Sequence, residues 1–274
     1  MSRTFKAALV QMRSSDDMGE NIRDASAMIR EAAGKGASYI QTPENTCLMA
    51  PDGGAKLSLT FPQERDPALP EFRKLAEELK VWLHIGSLAI KVSDSHVANR
   101  SFLISPKGEI AAQYDKVHLF DVDLPNGEVY RESATVAPGD RLVTADLPWG
   151  RLGLSICYDL RFPHLYRAFG QGGCSFIAIP AAFTETTGQA HWHVLQRARA
   201  IENGCFVLSA AQGGTHANGR QTYGHSLIIG PWGEILAEGG KDPGVVIAEI
   251  DPAAVTAAHG RVPSLRHDRA FTAV

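Results

Sequence analysis

Apolar residues recur along this chain in short blocks whose period changes from one segment to the next. Lys6 to Met12 is a near-continuous apolar run, the pattern of a strand buried on both faces. Asn21 to Ala33 instead sets Ile22, Ala25, Met28, Ile29 and Ala32 at helical spacing, and Gly34-Lys35-Gly36 stops that helix. Ser38 to Thr42 predicts a short strand, followed by a long polar loop through Pro51, Gly53 and Gly54, a helix around Pro70 to Lys80 and a strand from Val81 to Ile90. From Val97 the pattern turns to hairpins, with Arg100 to Ser105 reversing at Pro106-Lys107-Gly108 into Glu109 to Tyr114. Strand and helix alternate again from Arg151.

One segment has an echo. Ile104-Ser105-Pro106-Lys107-Gly108-Glu109-Ile110 resembles Ile229-Gly230-Pro231-Trp232-Gly233-Glu234-Ile235. Two readings fit: two related half-units packed sheet against sheet with helices outside, or a turn chemistry that recurs because Pro-x-Gly-Glu turns well. No composition shift or Pro/Ser-rich linker divides the chain, which argues for one large domain.

Composition narrows the chemistry. The chain has 274 residues, 44% apolar and 21% charged, with a net charge of −3. Acids and bases are interspersed, so no basic stripe points to nucleic acid and no polybasic cluster to a membrane surface. Small-molecule chemistry is the default. Cys47, Cys157, Cys174 and Cys205 are scattered without C-x-x-C pairs, which argues against a disulfide framework and a structural zinc site and for free thiols in a reducing, cytoplasmic compartment. Apolar runs such as Phe176 to Phe183 are too short to span a bilayer, and Met1 to Met12 lacks a signal-peptide core.

Cys157 is the first candidate for chemistry. In Gly153-Leu154-Ser155-Ile156-Cys157-Tyr158-Asp159-Leu160-Arg161-Phe162-Pro163, an apolar strand breaks into a helix start. Free backbone N–H groups and a positive helix end there would favour a thiolate and bind an oxyanion. The competing reading is a small buried hydrophobe closing a core strand. A thiol hydrolase also needs a base and an oxyanion partner. Glu44 follows the strand in Ile40-Gln41-Thr42-Pro43-Glu44-Asn45, where proline ends the ladder, and Lys116 follows another in Tyr114-Asp115-Lys116-Val117-His118. Each alone reads more readily as an ordinary loop charge. Rival motifs are incomplete. Gly153-Leu154-Ser155-Ile156-Cys157 lacks the last glycine of a serine elbow, His191-Trp192-His193 has no further ligand at metal spacing, and Gly170-Gln171-Gly172-Gly173 completes no nucleotide fingerprint.

Together these segments resemble the carbon–nitrogen hydrolase (nitrilase) superfamily, whose pattern is a Glu after an early strand, a Lys in K-x-H and a Cys in C-Y-D-x-R-F-P. The likeness runs through Glu44, Lys116 to Asp121, Arg131-Glu132-Ser133, Cys157 to Pro163, Arg197 to Asn203, and Tyr223-Gly224-His225-Ser226. It implies an α/β fold, a four-layer αββα sandwich of two mixed sheets packed face to face. It also implies one domain over 1–274, assembly into a homodimer or larger homo-oligomer with the tail 261–274 at the interface, and no cofactor or metal. Carried over, Cys157 is the nucleophile, Glu44 the general base, Lys116 the stabiliser of the oxyanion and Glu132 a second carboxylate holding the lysine. Burial and Glu132 would raise the proton affinity of Glu44, and Lys116 opposes them.

Ser209-Ala210-Ala211-Gln212-Gly213-Gly214-Thr215-His216 with Arg220 looks like the branch that hydrolyses deaminated glutathione. The ω-amidase branch, acting on 2-oxoglutaramate or 2-oxosuccinamate, and N-carbamoyl amino acid hydrolases are the alternatives. The implied reaction opens a terminal carboxamide of a small anionic metabolite and releases ammonia through a Cys thioester. Tyr158, Arg161 and His216 are the expected substrate-binding residues, with Arg220 as a further cationic candidate. His193, His164 and Gly213 depart from the usual residues and bear on the pocket. The non-enzyme alternative is an interaction scaffold on an amidase fold.

Overall fold

The structure is a computed structural model, and it describes residues 4–125 and 127–272. Two mixed sheets carry the fold. The first contains strands Phe5–Gln11, Tyr39–Gln41, Trp82–Lys91, Val97–Ile104, Ile110–Asp115, Val136–Ala137 and Gly244–Ile250. The second contains Val143–Leu147, Gly150–Leu154, Cys174–Ala178, Phe206–Ser209, Leu227–Ile229 and Ile235–Glu238.

The run at the chain's start is continuous because both of its faces are covered. Phe5, Ala7 and Leu9 point into a core shared with Leu152, Leu154 and Phe176 of the second sheet. Ala8 and Val10 point the other way, against Ala25, Ile29, Phe72 and Leu75. Those four belong to helices Met18–Gly34 and Ala68–Leu79, which cover the first sheet. Helices Pro163–Gln171 and Glu185–Asn203 cover the second, through Phe169, Trp192 and Ala200. Alternation by two therefore sorts each strand between two apolar layers, and the order helix, sheet, sheet, helix follows. This is the αββα sandwich.

The echo proves to be structural. Three parallel strands, 5–11, 39–41 and 82–91, are followed by the antiparallel strands 97–104 and 110–115. In the second sheet 150–154, 174–178 and 206–209 are parallel, and 227–229 and 235–238 follow antiparallel. Each closing hairpin pairs isoleucine with isoleucine beside a register shift, Ile104 with Ile110 and Ile229 with Ile235. A later strand of each half crosses to the other sheet, 143–147 beside 150–154 and 244–250 beside 5–11. Both crossings tie the halves together.

One segment differs from the sequence reading. The loop expected around Pro51 contains a helix, Gly53–Leu59, capped by Asp52, whose side chain accepts from the Ala55 N–H at 2.8 Å. Paired glycines mask it in the sequence, because glycine is a poor helix interior residue and the cap does the nucleating. The tail contacts its own chain as far as Asp268, where Arg167 meets Asp268 and the Ser264 carbonyl, while Phe271 is 93% exposed. Residues 273 and 274 of the expected interface tail lie outside the described residues.

Candidate active site

Glu44, Lys116 and Cys157 each stand just past the C-terminal end of a strand, on one edge of the facing sheets. Pro43 ends the ladder at Glu44 for want of an N–H, and the chain turns through Asn45 at φ 56°. Thr46 holds that turn by donating to the Pro43 carbonyl at 2.7 Å. Gly86 lets the two sheets close over it. A Cβ there would lie 2.2 Å from the Thr42 carbonyl oxygen and 2.5 Å from Pro180. Lys116 is anchored by its own backbone, donating to the Asn99 carbonyl at 3.0 Å and accepting from the Gly139 N–H at 2.9 Å. Cys157 has φ 48°, a left-handed conformation that a non-glycine residue holds only where its surroundings enforce it.

The enforcing group is Asp159, which is fully buried. One of its oxygens accepts from the Ile156 N–H at 2.8 Å and from the Tyr114 hydroxyl at 2.7 Å. The other accepts from the His118 N–H at 3.1 Å and from His118 Nδ1 at 2.7 Å. One carboxylate thus ties the turn bearing Cys157 to the segment bearing Lys116. His118 also stacks on Phe162 with ring centroids 3.6 Å apart, which fixes its ring.

Lys116 lies between two carboxylates. Its Nζ is 2.8 Å from Glu44 Oε1 and 2.9 Å from Glu132 Oε2. Asn99 Nδ2 donates to Glu44 Oε1 at 2.9 Å and to Glu132 Oε1 at 3.2 Å, bridging the two acids. The far oxygen of Glu44 accepts from the Ala182 N–H at 2.8 Å, and Glu132 accepts from the Phe120 N–H at 2.7 Å. The Cys157 thiol shares this buried wall with Glu44, close enough for the two groups to shift each other's proton affinity.

These contacts set the proton affinities. Burial pushes the Glu44 carboxyl up, yet the Lys116 charge and hydrogen bond outweigh it and hold Glu44 at about 2. The opposition left open in the sequence therefore resolves in favour of the lysine. Burial alone would lower Lys116, but Glu132 and Glu44 hold it well above the ordinary lysine range. Cys157 goes against expectation. Burial and the neighbouring Glu44 charge push the thiol well up, more than Lys116 lowers it. The helix end invoked for a thiolate is a short 3-10 turn, Cys157–Arg161, inside a buried acid-lined wall. The resting site is thiol, carboxylate and ammonium.

These groups open onto a cleft of about 540 Å³, lined also by Tyr158, Phe183, Tyr130, Lys56 and Arg220. A nucleophile, a charged acid and a cation on the floor of one cleft can add a thiol to an acyl carbon and hold the oxygen that becomes charged. The carbon-nitrogen hydrolase family model matches residues 6–259. The chain is a carbon–nitrogen hydrolase. Deaminated glutathione amidase of Synechocystis is 41% identical over 97% of this chain and 98% of its own. Human omega-amidase is 35% identical over 97% of this chain and 95% of its own. The C. elegans NitFhit protein superposes with a TM-score of 0.91 at 36% identity, covering 97% of this chain. This hydrolase spans 65% of that longer protein.

Within this carbon–nitrogen hydrolase, Glu44, Lys116, Glu132 and Cys157 come together as expected, and Tyr158 lines the cleft. Two expected substrate-binding residues do not line it. His216 is buried, its Nδ1 bonded to the Ser14 carbonyl at 2.8 Å and its Nε2 to Thr222 Oγ1 at 2.7 Å. Burial also lowers its proton affinity, so it is a neutral structural post and no receptor for an anion. Arg161 lies over the Phe183 and Tyr158 rings and contacts His191 Nδ1 at 3.2 Å. Its place is behind the aromatic wall.

Two residues of this region escaped the sequence reading, Asn99 beside the acids and Lys56 on the cleft wall. Asn99 was readable as an amide amid the largely apolar strand Val97–Ile104, a position that demands a polar partner. Lys56 rides on the unforeseen 53–59 helix and carried no signal of its own. Among the described residues no group of three or more His, Cys, Asp and Glu side chains is placed to hold a metal ion. No described helix is long and apolar enough to cross a membrane.

Proposed function

We propose that this hydrolase opens the amide of a small 2-oxo acid through a Cys157 thioester, with deaminated glutathione as its first substrate. The observation that carries the reading is the buried Glu44–Lys116–Glu132 cluster facing the Cys157 thiol. Sγ attacks the amide carbon while its proton passes to Glu44. Because the thiol holds its proton tightly and Glu44 does not, the transfer is uphill at rest and proceeds as the new C–S bond forms. The developing oxyanion is held by the Lys116 ammonium and by the Tyr158 N–H, which has no hydrogen-bond partner among the described residues. Glu44 then gives its proton to the departing amine nitrogen, and the C–N bond breaks.

In the second half, water gives a proton to Glu44 and attacks the thioester. The tetrahedral species collapses, and the proton returns to sulfur. Lys116, kept charged by two carboxylates, supplies a fixed cation and no base. Glu132 braces the ammonium and helps it to keep its proton, so that the cation stays in place while Glu44 takes up and gives back a proton.

A second reading, an ω-amidase on 2-oxoglutaramate, is favoured by the 35% identity to the human enzyme of that name. The leaving group separates the two. 2-Oxoglutaramate releases ammonia, whereas the γ-amide of deaminated glutathione is a secondary amide and releases the amine of cysteinylglycine, so the ammonia expected from the sequence is corrected to a product of the ω-amidase substrate only. Both substrates, with an N-carbamoyl amino acid as a third, are assayed against purified protein and a Cys157→Ala variant. Turnover of deaminated glutathione at the highest kcat/KM, lost by about 10⁴-fold or more in the variant, supports the reading. Equal amine release from both proteins removes Cys157 as nucleophile, and no turnover of any amide leaves the scaffold alternative.

The same reading takes residues 1–274 as one hydrolase domain, cytoplasmic and homo-oligomeric. Supporting it are a core shared by both sheets, four free buried cysteines, and Val194, Ile201 and Trp232 exposed on the second-sheet side. Sedimentation velocity reads the assembly.

A further inference from the structure

Four cations line the cleft: Lys56, Lys116, Arg131 and Arg220. Lys116 is held by Glu44 and Glu132, and Arg131 by Asp123 at 2.8 Å. The other two face no carboxylate at ion-pair distance among the described residues. Lys56 is half-buried on helix Gly53–Leu59, and its ammonium has no hydrogen-bond or ion-pair partner there. Arg220 lies across from it in the turn after Asn218. Its Nη2 donates to the Ala182 carbonyl at 2.7 Å and its Nη1 meets only the Met49 sulfur at 3.8 Å. Its Nε is buried without a partner, and its guanidinium lies 5.3 Å from the centroid of the Tyr130 ring.

An uncompensated cation withdrawn from water is costly unless an anion arrives to pair with it. Two such cations with unused donors, in the cleft that holds the Cys157 thiol, fit a bound carboxylate: a planar fork from arginine and a point charge from lysine. Burial already lowers the proton affinity of Lys56, a cost that a bound carboxylate would relieve.

Building on the amidase reading above, we propose that Lys56 and Arg220 bind the carboxylate of the substrate's acyl part and set the preference for a charged over a neutral amide. The pair also registers that carboxylate against the base. Arg220 bonds the Ala182 carbonyl, and the N–H of the same residue bonds Glu44. Arg161 and His216, the cations expected from sequence beside Arg220, are replaced in this role by Lys56.

The test compares glutaramate with pentanamide, which has the same length and lacks the carboxylate. The ratio of their kcat/KM values is measured on the full chain and on Lys56→Gln, Lys56→Arg and Arg220→Gln. The ratio is expected to favour glutaramate, to fall roughly tenfold to a hundredfold in each glutamine variant, chiefly through KM, and to survive largely in Lys56→Arg. An unchanged ratio in both glutamine variants overturns the proposal, even if overall turnover drops. Should Arg220→Gln fail to fold, Lys56→Gln decides, since its helix is a half-exposed rim. Calorimetry of glutaramate binding to Cys157→Ala protein separates this inference from the amidase reading. Binding weakened tenfold by Lys56→Gln upholds the carboxylate site even if no amide is turned over, and equal binding overturns it.

Discussion

The two halves of this molecule share a strand plan and differ in what they place at its ends. After the strand 39–41 the first half sets Glu44, and after the corresponding 174–178 the second half sets Ala182. Those two meet, N–H to carboxylate, at 2.8 Å. After 110–115 comes Lys116, buried between two acids, whereas its counterpart 235–238 ends at Glu238, half-exposed and paired with His193 at 2.8 Å. After 5–11 comes Met12, plain core, while 150–154 leads to Cys157 at its strained turn. The scaffold therefore supplies facing edges to both halves, and the proposed base and cation come from one sheet, the proposed nucleophile from the other. The site exists only when the sheets are packed.

The strongest way to break this division is to remove the first half's contribution at Glu44. Glu44→Gln leaves Cys157 without its proton acceptor, and amide turnover should fall by about 10²- to 10⁴-fold. The same change strips away a charge that raises the thiol while leaving Lys116, which lowers it. Alkylation of Cys157 by iodoacetamide near pH 7 should therefore quicken as turnover collapses, the two readouts moving oppositely. Slower alkylation would mean that Glu44 activates the thiol at rest. Stability follows from the same carboxylate. Its folded-state proton affinity is held at about 2, below the ordinary 4.5, so its contribution is present above pH 4.5 and is lost as pH falls toward 2. Urea midpoints between those pH values should decline more steeply in the wild type than in Glu44→Gln.

Glu132 sharpens the comparison from inside the first half, because it shares the lysine without reaching the thiol. Glu132→Gln takes one of two anions from a buried ammonium and frees the Phe120 N–H from its carboxylate. Losing one partner of a buried pair costs about 3–5 kcal/mol at the upper end, and the retained amide and Glu44 place the expected loss toward the bottom of that range. Thermal unfolding reads it. Alkylation of Cys157 should shift far less than in Glu44→Gln, which distinguishes the brace from the base.

Much of this was legible in sequence for identifiable reasons. Strand identities followed from apolar runs, and the paired hairpins from Pro-x-Gly-Glu, because turn chemistry and two-sided burial are local. Glu44, Lys116, Glu132 and Cys157 were legible as motifs. Their proton affinities were not, since the thiol's depends on distances between groups 113 and 41 positions apart in chain order. The 53–59 helix was missed because one Asp52 cap outweighs two glycines only once the helix packs, Gly53 lying so close to Thr135 that a Cβ would approach it at 2.6 Å. Lys56 went unseen with it. His216 misled because a histidine in a motif looks chemical until its two nitrogens are found satisfied.

The smallest effect tests whether the two hairpins are equivalent in energy as well as in shape. Gly108 and Gly233 occupy the same turn position at φ 70° and 87°, where any other residue pays about 1 kcal/mol for a left-handed backbone. Their surroundings differ. A Cβ on Gly108 would sit 2.9 Å from the carbonyl oxygen of Arg73, a backbone atom in the covering helix Ala68–Leu79. On Gly233 it would sit 2.6 Å from the tip of Ile201, a side chain that is 54% exposed and free to swing away. Gly233→Ala should thus cost only the backbone term, and Gly108→Ala that term plus about 1 kcal/mol or more of overpacking. Urea midpoints of the two variants measure the gap. Equal losses would show the first half's hairpin yielding as readily as the second's, and the helix at 68–79 giving way beneath it.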